Sequence, residues 1–343
     1  MHLVLLFLAV VATANESREL QTVTLGGAAQ GTTWHVKFVV RPDKVDAQRV
    51  QEEIERQLAT IDRQMSTYRT DSEISRFNRA AAGEWCAVSR AVAEVVAASR
   101  AVSEKTGGAQ DVTVGPLVRL WKFGPTSKTR DAVKSEFKPP TDEAIRAARA
   151  RVGYKKLDVR LEPPALRKQV EGLEVDLSSI APGYTVDCMA KVLQKRGIDR
   201  LMVELGGEVR AAGTRTDVTP WRVAIERPGI GTPELATAVP LVDAAMATAG
   251  GSLHFFEYQG RRYSHIIDPA TGRPVERVLS SVTVAAETCM DADVWDTPLV
   301  VLGAERGFEC AEKNGVAALF IRNDANGDEV RTTSAWRKRF KAK

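Results

Sequence analysis

From residue 201 onward the chain is cut into short apolar segments by glycine and proline, and this rhythm limits its folds more than any other feature. Segments 201–205, 209–212, 221–225, 245–248, 253–258, 262–267 and 280–285 are each too short for a stable helix and are bounded by turn residues. They predict strands joined by tight turns. The first half has one alternating strand, with Trp34, Val36, Phe38 and Val40 on one face and His35, Lys37 and Val39 on the other, so His35 is expected to face solvent. Helical spacing then takes over. Val50, Ile54, Leu58, Ile61 and Met65 predict a helix from about Asp43, and Ser89 is placed to cap a second that reaches Lys105 before Gly107. A third is expected over 141–152 before Gly153, and a fourth over 182–196 with Pro182 at its start and Gly197 at its end. Helices gathered in one half and hairpin strands in the other read as an α+β fold with largely antiparallel sheets.

Composition narrows the function. A chain of 343 residues that is 44% hydrophobic buries a substantial core. Its 48 basic and 44 acidic residues leave a net charge of +4, too mild for a nucleic-acid-tracking surface, and the basic run 337–343 reads as a solvated end. Leu3 to Val11 is an apolar run too short to span a bilayer but of the right length for a signal-peptide core, with Ala12-Thr13-Ala14 offering small residues for cleavage. Residues 1–14 are therefore expected to be a signal peptide of an exported protein, although Met1-His2 lacks the usual positive charge; the alternative is a buried strand or a misassigned start. No cysteine follows the run to carry a lipid, and no later segment is long and apolar enough to cross a membrane. Cys86, Cys188, Cys289 and Cys310 form no Cys-x-x-Cys pair and read as small buried hydrophobes, with disulfide pairing left open. The four histidines are too scattered for a histidine metal site.

Seven short strings carry the chemistry. In chain order they are Gly31-Thr32-Thr33-Trp34; Met65-Ser66-Thr67-Tyr68 with the 72–78 stretch; Asp111-Val112-Thr113-Val114-Gly115-Pro116-Leu117; the run from Asp176 through Ser179 and Pro182 to Tyr184; Glu204-Leu205-Gly206-Gly207; His265-Ile266-Ile267-Asp268-Pro269; and Ala292-Asp293-Val294-Trp295-Asp296-Thr297. Together they resemble the ApbE family of FAD:protein FMN transferases, over about residues 25–305. The resemblance implies a single ApbE-like, T-fold-type catalytic unit over 22–335, with 124–140 as a surface insertion. It also implies Mg²⁺-dependent transfer of FMN from FAD to a threonine of an acceptor flavoprotein, with release of AMP.

The residue types suit that chemistry. Attack on a diphosphate needs a cation among oxygen ligands. Asp293, Asp296 and Thr297 offer such oxygens within five residues, and if the segment is helical Asp293 and Thr297 share a face. On spacing alone a metal-free cluster of helix-start acids is the favoured reading. The resemblance reverses the order and adds the carbonyl of Ser179 to the ligand set. His265, at a strand end before the turns of Asp268-Pro269 and Thr271-Gly272, is the expected base, since an unperturbed imidazole titrates near pH ~6.5; a lone histidine without those neighbours is more often structural. Tyr68 can stack on a flavin or adenine ring, and Asp111 and Asp176 can accept from ring N–H or ribose hydroxyls. Ala109 and Gln110 accompany Asp111. Gly206 and Gly207 allow close backbone approach, or make an ordinary tight turn. They are not a dinucleotide-binding Gly-x-Gly-x-x-Gly. The resemblance places further flavin contacts at Gln30, Pro182 and Ile267.

Three positions depart from the family pattern: Gln30 where methionine is common, Pro182 where lysine or glutamate is common, and Pro298, which removes a helical hydrogen bond beside the metal-bearing turn. Two other readings stay open. The same site with water as nucleophile is an FAD pyrophosphatase, and loss of turnover leaves a flavin-binding protein.

Overall fold

In a computed structural model, which describes residues 19–125, 136–227, 234–250, 255–275, 281–324 and 327–340, the alternation of the first strand organises the molecule. Trp34, Val36 and Phe38 turn towards one layer of core, and Val39 towards another. Their strand, β2 (Thr32–Val40), follows β1 (Gln21–Ala29) and begins one eight-stranded sheet. The other members are β3 (Leu201–Leu205), β4 (Glu208–Ala212), β5 (Ala244–Gly250), β6 (Ser281–Ala286), β7 (Ala317–Asp324) and β8 (Gly327–Thr332). Each strand lies beside its successor and every pairing is antiparallel. The fold is α+β, as the sequence predicts.

The excursions between strands carry the helices. Between β2 and β3 lie α1 (Ala47–Met65), α2 (Glu73–Arg79), α3 (Arg90–Lys105), α4 (Gly115–Leu120), α5 (Asp142–Arg149) and α6 (Ala181–Gln194). Between β6 and β7 lie α7 (Cys289–Leu302) and α8 (Ala304–Lys313), and α9 (Ser334–Arg339) follows β8. The buried face of α1 is Val50, Ile54, Leu58, Ile61 and Met65, the same five positions that spacing selects. Its first three pack with Val186, Met189 and Leu193 of α6 against β2 and β3. The opposite face of the sheet is closed by a hairpin, Trp221–Arg227 with Glu234–Leu241, and by Trp336 of α9. A separate core joins α2, α3 and a three-stranded sheet of Cys86–Ala87, Leu157–Leu161 and Pro164–Lys168.

Several boundaries shift for local reasons. Asp46, accepting from the Gln48 and Arg49 amides, starts α1 after a short 3-10 turn at Pro42–Lys44, so the helix begins at Ala47 rather than near Asp43. Thr141 caps α5, and the helix ends at Arg149 rather than Val152 because the chain must turn before Gly153, which adopts φ +143°. Helix α6 begins at Ala181, one residue before Pro182. The strand expected over 262–267 divides in two: Arg261–Ser264 pairs with Phe255–Tyr258, whereas Ile267–Asp268 pairs with Arg273–Pro274. Helix α7 runs through Pro298 without interruption. The four cysteines are free thiols; Cys188 and Cys289 are buried, whereas Cys86 and Cys310 are half-buried. Residues 1–14 lie outside the described residues, as do 126–135 of the expected insertion; just beyond that stretch, Phe137 is buried among Trp121, Ile145 and Phe256. Among the described residues no helix is long and apolar enough to cross a membrane.

Among the described glycines, the closest approach of neighbouring backbone joins α6 to α7 at Gly183. A Cβ on Gly183 would sit 2.4 Å from the Cys289 carbonyl oxygen and 2.6 Å from Asp293 Cβ, and backbone cannot yield as a side chain does. The Gly183 N–H donates to Asp293 Oδ2 at 2.7 Å across the same contact. From the next turn of α6, Asp187 accepts from the Cys289 and Met290 amides at 3.0 Å each, capping α7, and pairs with Arg210. Gly183→Ala is accordingly expected to lower the unfolding free energy by about 3 kcal/mol or more. Urea denaturation checks this, and a midpoint equal to the parent's would show that the helices can separate without cost.

Candidate active site

A cleft of about 510 Å³ opens where the β2–β3 excursion meets the β5–β6 excursion. One wall is polar and carries Ala109, Gln110, Asp111, Asp176, Ser178 and Ser179. The facing wall is aromatic and apolar, with Phe123, Phe255, Phe256, Ile266 and Ile267, and His265 stands within it. Tyr68, 70% exposed, lies at the rim, and Thr297 of α7 completes the lining. Of the residues expected from the sequence, Tyr68, Ala109, Gln110, Asp111, Asp176, Ser179, His265, Ile267 and Thr297 therefore meet at one cavity.

Each wall is held by identifiable contacts. Asp111 Oδ1 accepts from the Thr113 amide at 2.8 Å and the Thr113 hydroxyl at 2.6 Å, while Oδ2 accepts from the Tyr154 amide at 2.8 Å. Burial pushes its carboxyl up, and those hydrogen bonds oppose the shift. Asp111 thus organises its own loop as well as lining the cleft. Asp176 accepts from the Ser178 amide at 2.9 Å through Oδ1, and no donor among the described residues reaches Oδ2, which leaves that oxygen for a ligand. Opposite, Phe256 stacks between Phe123 and Phe137 with ring centroids 4.6 Å apart in both pairs. The His265 ring meets Phe123 edge-on at 6.4 Å. Trp121 Nε1 donates to the Gly272 carbonyl at 2.8 Å, tying α4 to the turn in which Asp268 Oδ1 accepts from the Ala270 amide. His265 lies in the bend between the short strands Arg261–Ser264 and Ile267–Asp268, a segment held on both sides.

Asp293 and Asp296 are 4% and 2% exposed and are not among the residues that line the cleft. Because α7 starts at Cys289, Asp293 stands in the second turn, and the helix-start account of these acids does not apply. Among the described residues Asp293 accepts only the Gly183 amide, and Asp296 accepts from the Thr297 hydroxyl at 3.1 Å. Burial, first, and then the neighbouring Glu208 push the Asp293 carboxyl well above the usual range; burial and then Asp293 do the same to Asp296. Glu208 itself is pushed up to about 7, burial being the chief cause and Glu204 adding to it. No lysine or arginine among the described residues pairs with Asp293 or Asp296.

Two desolvated carboxylates without a protein cation, beside a hydroxyl that reaches the cleft, form a donor set suited to a hard divalent ion. Among the described residues no three His, Cys, Asp or Glu side chains converge as a metal cage. Mg²⁺ does not require one, because water and phosphate oxygens fill most of its positions. The set fits Mg²⁺.

Other expected contacts lie elsewhere. Gly206 and Gly207, at φ +64° and +115°, form the two-residue turn between β3 and β4, outside the cleft lining. This is the tight turn that the sequence left open, and both positions need glycine's freedom. Gln30, in the β1–β2 turn, donates to Thr185 Oγ1 of α6 at 3.1 Å, and Pro182 lies in the first turn of that helix. Neither lines the cleft. Phe123, Phe255 and Phe256 also line the cleft, and the Trp121-Lys122-Phe123 and Phe255-Phe256 runs are their signal in the sequence.

Comparison with known proteins identifies the family. The family model described as "ApbE family" matches residues 30–320. The curated FAD:protein FMN transferase of Vibrio cholerae is 43% identical over 317 residues, covering 92% of each chain. The Escherichia coli protein of the same name is 37% identical, covering 91% of this chain and 87% of its own. Among solved structures, the flavin transferase ApbE of Vibrio cholerae superposes with a TM-score of 0.84 at 41% identity, covering 93% of this chain and 99% of its own. The apo flavinyl transferase ApbE of Pseudomonas stutzeri gives 0.84 at 37%, covering 95% and 98%. Sequence and fold coincide along nearly the whole length, and the chain belongs to the ApbE family.

Proposed function

We propose that this flavin transferase moves FMN from FAD to a threonine hydroxyl of an acceptor flavoprotein, forming a phosphoester and releasing AMP with Mg²⁺ present. The observation that carries the reading is the cleft itself. Aromatic rings, polar side chains and a histidine line one cavity, and its Thr297 is hydrogen-bonded to Asp296 of a buried acidic pair. An isoalloxazine or adenine ring has Phe123 and Phe255 to lie against, with Phe256 packed behind them, and Asp176 Oδ2 to accept its N–H or ribose hydroxyls.

His265 takes the proton of the threonine hydroxyl as its oxygen attacks the FMN-side phosphorus. The new O–P bond replaces the bond to the bridging oxygen, which departs on AMP. Asp293, Asp296, Thr297 and the Ser179 carbonyl would hold Mg²⁺. When bound it supplies positive charge to the diphosphate oxygens. Gly183 fixes the Asp293 carboxylate, and the aromatic wall limits the access of water, whose attack would give FMN and AMP instead. We further propose that the protein is exported, on the strength of the apolar run Leu3 to Val11.

Incubation with FAD, Mg²⁺ and a threonine-presenting acceptor tests the reading. Flavin fluorescence that stays with the acceptor through denaturing electrophoresis, with one AMP per flavin bound, is expected. Free FMN and AMP with an unlabelled acceptor would make the chain a pyrophosphatase, and FAD binding without AMP would make it a carrier.

A further inference from the structure

Three serine or threonine hydroxyls line the cleft, and their protons are differently disposed. Ser178 donates to Asp176 Oδ1 and Thr297 donates to Asp296 Oδ1. Ser179 is the exception. Its Oγ accepts from Gln110 Nε2 at 3.0 Å, and the second N–H of that amide goes to Ser99 Oγ at 3.2 Å. Gln110 is 1% exposed and Ser99 is wholly buried, so the amide is anchored on α3 and cannot swing into the cleft. A hydroxyl that accepts from a fixed donor keeps its one proton to give elsewhere. For Ser179, half-buried at the cleft wall, the open direction is the cleft.

The backbone nearby leaves such a donor needed. Helix α6 opens just after Ser179, and helix starts commonly hold anions through their free amides. Here those amides are consumed: Ile180 and Ala181 donate to the Leu177 carbonyl, Pro182 has no N–H, and Gly183 donates to Asp293. An anion at this end of the cleft gains no first-turn amide from α6.

We infer that the Ser179 hydroxyl donates to the diphosphate of the bound dinucleotide and that Gln110 is the positioning residue that aims it. This rests on the flavin-dinucleotide reading and assigns Ser179 a side-chain role beside any use of its carbonyl. Gln110 acts on the ligand through Ser179 rather than by touching a ring.

The test is equilibrium binding in EDTA, where nothing turns over, with FAD, ADP and riboflavin as probes and with the parent, Ser179→Ala, Gln110→Met and the double variant. Loss of a hydrogen bond to a charged group is worth ~10-fold or more in affinity. Ser179→Ala is expected to bind FAD and ADP about 10-fold more weakly and riboflavin, which has no phosphate, as the parent does. Gln110→Met keeps the volume but has no N–H. It should weaken FAD and ADP about threefold, with no further loss when Ser179 is already alanine. A Ser179→Ala protein that holds FAD and ADP normally, or loses riboflavin equally, overturns the donor. Independent losses in the double variant overturn the positioning. If the parent binds neither FAD nor ADP, the flavin-dinucleotide reading and this inference both fail, whereas normal parental binding with an indifferent Ser179→Ala removes only the inference.

Discussion

Asp293→Ala is expected to give no detectable flavin transfer, a loss of at least ~10³-fold, since charge stabilisation by a divalent ion is worth several kcal/mol of barrier. Alanine removes two things together: a carboxylate of the proposed Mg²⁺ site and the acceptor for the Gly183 N–H. Asp293→Asn separates them. Its amide oxygen still accepts from Gly183, so the α6–α7 contact is kept and the fold should unfold at nearly the parental urea concentration. Its missing charge weakens Mg²⁺ binding, measured directly by calorimetry, and transfer is lost as in the alanine variant. An Asp293→Asn enzyme that transfers flavin at the parental rate would end the proposed role of this carboxylate.

His265→Ala should lose transfer by about 10²–10⁴-fold, the range for removal of a general base, while FAD binding changes little. The division follows from where His265 sits. The cleft-lining aromatic rings not enclosed on both faces are those of Phe123 and Phe255, and the imidazole meets Phe123 edge-on. Because Trp121 Nε1 ties down the Gly272 turn and Ile267–Asp268 pairs with Arg273–Pro274, the backbone at 265 has little reason to move when the ring is removed. Single-turnover transfer measured beside fluorescence titration of FAD separates the steps. Equal losses in both would recast His265 as a binding residue.

Periodicity served well wherever one face of an element alone decides its burial. The five buried positions of α1, the alternation of β2 and the outward His35, which meets Glu204 at 2.9 Å, were all legible because each depends on local spacing. Boundaries set by distant partners were not. Nothing near 262–267 tells that Ser264 ends one ladder and Ile267 starts another with Arg273–Pro274. The motifs brought nine of the expected residues to one cavity, whereas Gln30, Pro182, Gly206 and Gly207 fell outside its lining. Phe123, Phe255 and Phe256 were passed over because aromatic residues in apolar runs read first as core, and only tertiary packing shows them as a wall. The contact that makes Gly183 indispensable crosses from residue 183 to residues 289 and 293, a separation no local pattern encodes. Glu208 and Asp187 escaped for the same reason: their influence on α7 is spatial.

The sheet's plain succession of strands has a consequence for how such an enzyme can be retuned. Neighbours β2 and β3 stay zipped although residues 41–200 intervene, and β5 stays zipped to β6 across 251–280. Those detours furnish the banks of the catalytic trough, joined where Phe123 of the first stacks on Phe256 of the second, while the detour from β6 to β7 contributes Thr297. Lengthening or trimming one bank leaves every rung of the ladder intact, so the trough can be reshaped for a different acceptor without dismantling the spine on which it is strung.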